Sequence, residues 1–249
     1  MISRQTLLNW CHDTLQTSLF KDYAPNGLQV EGKEQIEHIV TSVTASQAAI
    51  DYAVQQQADM LLVHHGMFWK NEPVTITGWK KQRIARLLQH DINLVGFHLP
   101  LDGHAEWGNN AQLAKLLGLQ TEYCCSEQNL LHIGSVHTPQ SLTDFANHIE
   151  HQLQRTPVVV GRPDKTINKV AWCTGGAQGF FADAIAEGVD AYITGEISES
   201  QYHLANETDV VFISAGHHAT ERYGVRALAI ELQRKFNVKI DHFDEQNPA

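Results

Sequence analysis

Two strand-length runs without a polar residue, MLLV at 60–63 and VVFI at 210–213, constrain the fold of this chain more than any other feature. A strand with one wet face alternates apolar with polar residues. An unbroken apolar run therefore implies cover on both faces, as in a parallel sheet layered between helices. The flanking pattern agrees: β-type runs over 36–44, 60–64 and 93–98 alternate with helical spacing over 46–57, 80–90 and 110–117. The alternation returns with strands over 169–173, 191–194, 210–214 and 239–243 and helices over 180–187, 199–206 and 221–235. The expected fold is α/β, with mostly parallel sheets flanked by helices and two similar halves. The segments ADMLLVHHG and VDAYITGEI suggest an internal duplication. Residues 120–164 read differently, as NLLHIGSVHT (strand), SLTDFANHIEHQLQ (helix) and PVVVG (strand) between Gly118 and the turn GRPDK. They are expected to form a small inserted α+β lobe, leaving 1–119 and 165–249 as the α/β core.

At 249 residues the chain is long enough to bury a sizeable core. No apolar run approaches the ~20 residues of a bilayer span. The start, MISRQTLLNWCHDTLQ, lacks the basic opening and apolar stretch of a secretion signal, so a cytoplasmic protein is expected. A formal charge of -10 and the absence of a dense Lys/Arg cluster disfavour nucleic acid as a partner. Cys11, Cys124, Cys125 and Cys173 form no CxxC pair, and no disulfide framework is expected. The 15 histidines are the compositional exception, because imidazole is the commonest side-chain metal ligand.

Position gives those histidines meaning. In LLVHHG, His64 and His65 sit where a buried strand runs into Gly66, the strand end at which α/β proteins bind ligands. Successive strand side chains point to opposite faces, so the two share one site only if the chain turns at Gly66, or else each holds its own ion. A second strand ends at His98, and Asp102 follows just beyond Pro100, whose fixed φ holds the segment above the sheet. A third runs through Gly216 into a helix on which His217 and Glu221, four apart, share a face; His218 with Glu221, three apart, is the competing pair. Each feature alone also fits an ordinary turn or a surface ion pair. Three strand ends that each deliver imidazole or carboxylate favour a shared site for divalent Zn, Mn or Fe, with carboxylates able to bridge two ions. Hydrolysis is the default chemistry of such a pair. His98 and Glu196, the latter at another strand end in ITGEISE, are candidates for proton transfer, and Glu196 equally for orienting a ligand histidine. Gly175, Gly176 and Gly179 in CTGGAQGFF form either a phosphate cradle or a tight strand-to-helix turn.

The segments YAPNGLQVEG, VTASQ, LLVHHG, HLPLDGH, GNNAQLA, AWCTGGAQ, ITGE and GHHATER, taken in this order, resemble the bacterial GTP cyclohydrolase 1 type 2 homolog family, also called NGG-interacting-factor-three-like. The resemblance spans nearly the whole chain and is weakest over 120–164. It implies a dinuclear centre with His64, His65, Asp102, His217 and Glu221 as ligands, and so selects His217 over His218. It also implies a toroidal homohexamer. The resemblance implies a metal-dependent hydrolase and does not fix the reaction; the expected substrate is a nucleotide or other phosphorylated small molecule, with GTP cyclohydrolase activity as one form. The alternative is a non-enzymatic metal-handling or regulatory adaptor.

Overall fold

A computed structural model describes all 249 residues, and the chain divides into two compact units, Met1–Gly108 with Gly224–Gln246 and Asn109–Tyr223 with Asn247–Ala249. In chain order the strands are β1 (Ile2–Ser3), β2 (Gly27–Val30), β3 (Gln35–Ile36), β4 (His38–Thr44), β5 (Met60–His65), β6 (Asn93–Gly96), β7 (Leu119–Cys125), β8 (Leu131–Ser141), β9 (Val158–Val160), β10 (Thr166–Trp172), β11 (Ala191–Thr194), β12 (Val211–Ser214) and β13 (Lys239–His242).

The first unit holds a five-stranded sheet of order β13-β4-β5-β6-β2, in which only β2 runs antiparallel to its neighbour. Its central strands β4, β5 and β6 are buried on both faces, as the run MLLV demands. Met60 and Leu62 pack with Leu7, Val95, Leu228 and Leu232 on one side, while Leu61 and Val63 pack with Ala49, Ile50, Ile84 and Leu87 on the other. The expected strand over 36–44 is interrupted. Residues 35–36 pair with 2–3 in a separate ribbon, and the Glu37 N–H turns to Asp59 Oδ2 at 2.9 Å.

The second unit holds a six-stranded sheet of order β7-β8-β10-β11-β12-β9. Its central strands β10, β11 and β12 are parallel, and β8, β7 and β9 are antiparallel to their neighbours. Residues 120–164 supply most of β7 together with β8, β9 and the helix Leu142–Leu153, whose Phe145 and Ile149 pack on Trp172 and Ile213 in this unit's core. Strand β7 escapes a pattern reading because four of its seven residues are exposed.

The two units repeat one device. Asp59, just before β5, accepts the N–H groups of Glu37 and His38 at 2.9 and 3.0 Å and pairs with Lys33 at 2.7 Å. Asp190, just before β11, accepts the N–H groups of Asn168 and Lys169 at 3.0 and 2.9 Å and pairs with Lys165 at 3.4 Å. The backbone oxygen of Asp59 then takes the N–H that starts β6, and that of Asp190 the N–H that starts β12. Each aspartate ties its own strand to the two parallel strands beside it.

His132 of β8 is buried against Trp172, with ring centroids 5.4 Å apart. Burial holds its pKa down at about 4. The native state keeps this ring neutral where the unfolded chain would protonate it. Stability should therefore be full above pH 6.5 and fall as the pH drops from 6.5 to about 4, by about 3 kcal/mol. Denaturant unfolding across that range checks this; in His132→Phe the total loss over the range should shrink by that amount.

Candidate metal centre

In the first unit, His64 and His65 are the last two residues of β5. Their rings come together rather than diverging, with centroids 4.5 Å apart. The turn that allows this is built around Gln29. Its Oε1 accepts the Met67 N–H at 2.9 Å, and its amide lies where a Cβ on Gly66 would stand. His98 closes the group: ligating atoms of His64, His65 and His98 all lie within 4.8 Å of one another. Asp102 Oδ1 lies 3.5 Å from His64 Nε2.

Asp102 does not sit on the expected loop. It ends a one-turn helix, Leu99–Asp102, with Pro100 in its first turn. Four residues do not hold a helix unaided. This one is fixed by Leu101, 1% exposed in the core, and by the Leu99 N–H, which donates to Asp22 Oδ2 at 3.0 Å. Asp22 is the residue that sequence reasoning missed. It also accepts from His98 Nδ1 at 2.9 Å, and neighbouring Asn26 accepts the His98 N–H at 2.8 Å. Burial would raise the Asp22 pKa, but these donors, His98 foremost, hold it at about 2.

The imidazoles are oriented alike. His64 Nδ1 donates to the Phe97 carbonyl at 2.9 Å, His65 Nδ1 meets Thr44 Oγ1 at 3.2 Å, and His98 Nδ1 faces Asp22. Contacts at Nδ1 of this kind orient an imidazole so that Nε2 can serve as the nitrogen facing a cation.

The expected helix over 221–235 is two helices, His217–Glu221 in the second unit and Gly224–Phe236 in the first. Ala219 anchors the short one in the second unit's core. His217 Nε2 lies 3.1 Å from Glu221 Oε2. The His218 backbone N–H donates to Ala249 O at 3.2 Å. Glu196 lies just past β11, and its Oε1 accepts from His217 Nδ1 at 2.6 Å. Burial alone would lower the His217 pKa, but Glu221 and then Glu196 overcome it and raise it to about 9. This set of an imidazole gripped by one carboxylate and facing another suits a divalent ion, whose charge replaces that of the proton.

The glycine turn is built around these side chains. Gly175 has φ +70°, and a Cβ there would collide with Glu221 Oε1 and lie 3.2 Å from His217 Nε2. Its N–H donates to Thr220 Oγ1 at 3.0 Å and its carbonyl accepts from Thr194 Oγ1 at 3.1 Å, so it is committed within the fold.

A family model described as Duf34/NIF3 (NGG1p interacting factor 3) matches residues 2–248. The chain is 67% identical to the GTP cyclohydrolase 1 type 2 homolog of Neisseria meningitidis serogroup A / serotype 4A, with 100% of both chains covered. It is 50% identical to the protein of that name from Yersinia pestis, covering 100% of this chain and 99% of the other. Among solved structures, the protein ybgI, described as of unknown function, matches with TM-score 0.97 at 47% identity over 100% of both chains. The Thermus thermophilus protein TTHA1606 matches with TM-score 0.89 at 30% identity, again over 100% of both. No helix is long and apolar enough to cross a membrane.

Proposed function

Because the chain belongs to the Duf34/NIF3 family, we propose that it is a dinuclear metal-dependent hydrolase acting on a nucleotide or another phosphorylated small molecule. His64, His65 and Asp102 of the first unit and His217 and Glu221 of the second hold a pair of divalent ions, Zn, Mn or Fe. The observation that carries this reading is the pairing of each ring with two oxygens: His64 Nδ1 donates to the Phe97 carbonyl and His217 Nδ1 to Glu196 Oε1, while Asp102 Oδ1 lies 3.5 Å from His64 Nε2 and Glu221 Oε2 lies 3.1 Å from His217 Nε2. Structural histidines have no need of that arrangement.

When bound, the ions lower the pKa of a water and neutralise charge on a substrate oxygen. The chain's own residues do the rest. Glu196 keeps His217 in its Nδ1–H form, and His98 carries protons at Nε2. Hydrolytic opening of a purine ring, the activity in the relatives' name, is the narrower form of the proposal, as are a homohexameric ring and a cytoplasmic location.

Elemental analysis together with a panel of nucleotides and phosphoesters tests it. Protein purified after incubation with Zn or Mn should retain the ions and turn over at least one member, and Asp102→Ala should lose both properties. Negligible retained metal, or an Asp102→Ala variant indistinguishable from the parent, would end the proposal.

A further inference from the structure

His98 belongs to the first unit's imidazole group but not to the proposed ligand set, and it is held from every side. Its Nδ1 donates to Asp22 Oδ1 at 2.9 Å, its backbone N–H donates to Asn26 at 2.8 Å, and Tyr23 and Trp69 stand edge to face against its ring, with centroids at 5.0 and 5.2 Å. Asp22 is as firmly placed. Its side chain is 4% exposed and also accepts from Ala24 N–H, Asn26 Nδ2 and Leu99 N–H, each at 3.0 Å. A carboxylate surrounded by four donors stays ionised and can only accept. It therefore puts the proton of a neutral His98 on Nδ1 and leaves the lone pair on Nε2, in a ring whose ligating nitrogen lies within 4.8 Å of those of His64 and His65.

We propose that Asp22 is a positioning residue for proton transfer: it locks His98 as the Nδ1–H tautomer, so that Nε2 takes a proton from the water that attacks the substrate. The inference rests on the hydrolase reading. As the water oxygen bonds to the substrate, one O–H bond breaks, its electron pair stays on oxygen and the proton goes to Nε2. Asp22 keeps its charge and stabilises the imidazolium; when the bond between the attacked centre and the leaving group breaks, its electron pair stays on that group, which takes the proton back from Nε2.

The tautomer is directly measurable by long-range proton–nitrogen correlation in zinc-loaded, nitrogen-labelled protein. The wild type should carry the His98 proton on Nδ1. In Asp22→Asn the new amide has a choice of orientation. Its NH2 would oppose two donors on the Leu99 and Asn26 side, but only the Ala24 N–H on the His98 side. It turns to His98, makes Nδ1 an acceptor and moves the proton to Nε2. Both Asp22→Asn and His98→Ala should bind as many zinc ions as the parent, because neither position supplies a ligand.

A wild-type proton on Nε2 overturns the proposal, as does a proton left on Nδ1 in Asp22→Asn. A zinc ion lost in His98→Ala would make His98 a ligand and overturn it too. If Asp22→Asn does not fold, the wild-type tautomer and His98→Ala still decide. A wild type that binds no zinc removes the hydrolase reading itself, whereas normal zinc binding with the wrong tautomer removes only the role of Asp22.

Discussion

The affinity of metal-free protein for zinc should climb about tenfold per pH unit up to about pH 9, then level off, through a single group. His217 is raised from 6.5 to about 9 by Glu221 and Glu196 against the pull of burial, so at neutral pH the ion must displace a proton from it. From pH 7 to 9 that proton accounts for a factor of roughly 50. The same shift reverses the sign for stability without metal. A folded-state pKa above the unfolded value stabilises fully below pH 6.5, and this stabilisation is lost as the pH rises through about 9. For this side chain, 28% exposed, the loss is about 3 kcal/mol at most. The metal-free protein should thus be more stable at pH 6 than at pH 9, while the zinc complex tightens over the same interval. Glu196→Gln isolates the cause. It removes the charge behind His217 Nδ1 and leaves both ligands in place, so the bend in the affinity profile should move to lower pH. Zinc titrations from pH 6 to 10 on both proteins check this; an unmoved bend would assign the proton to another group.

The parts of this molecule that are legible in its sequence are those written by local chemistry. MLLV and VVFI announce strands covered on both faces, and packing on two sides of β5 is the consequence. His64, His65, Asp102, His217 and Glu221 are each visible at a strand end. What cannot be read is what holds them. Asp22 lies 76 positions from His98 and Glu196 lies 21 from His217, and no periodicity links such pairs. Gln29 reads as one more polar residue in YAPNGLQ, yet its amide shapes the turn after His65. The helix at 99–102 escapes a sequence reading because its stability comes from Leu101 in the core and from Asp22, not from propensity. Asp59 and Asp190 are both in view within the repeated segments, but the strand starts they anchor become apparent only once the sheets are formed.

Gly175→Ala should be far more damaging than the same change at Gly176 or Gly179, and that comparison decides between the two readings of CTGGAQG. At φ +70° alanine costs ~1–2 kcal/mol from backbone strain alone. Its methyl would also overlap Glu221 Oε1, and Glu221 is 3% exposed, with no room to swing away. Crowding of this kind adds ~1–3 kcal/mol. Displacing Glu221 from His217 should also weaken zinc binding by about 10–100-fold. Gly176 differs: a methyl there meets its nearest atoms, His217 Cε1 and Glu196 Oε1, at 3.5 and 3.6 Å, which is ordinary contact. At Gly179 nothing lies within 4 Å. If the glycines serve to clear space for His217 and Glu221, Gly175→Ala should lose stability and zinc together, while Gly176→Ala and Gly179→Ala stay within ~1 kcal/mol of the parent. If the turn instead cradled phosphate through its backbone, all three substitutions would weaken binding of inorganic phosphate and leave zinc untouched. Denaturant midpoints, zinc titration and phosphate titration on the three variants separate these outcomes.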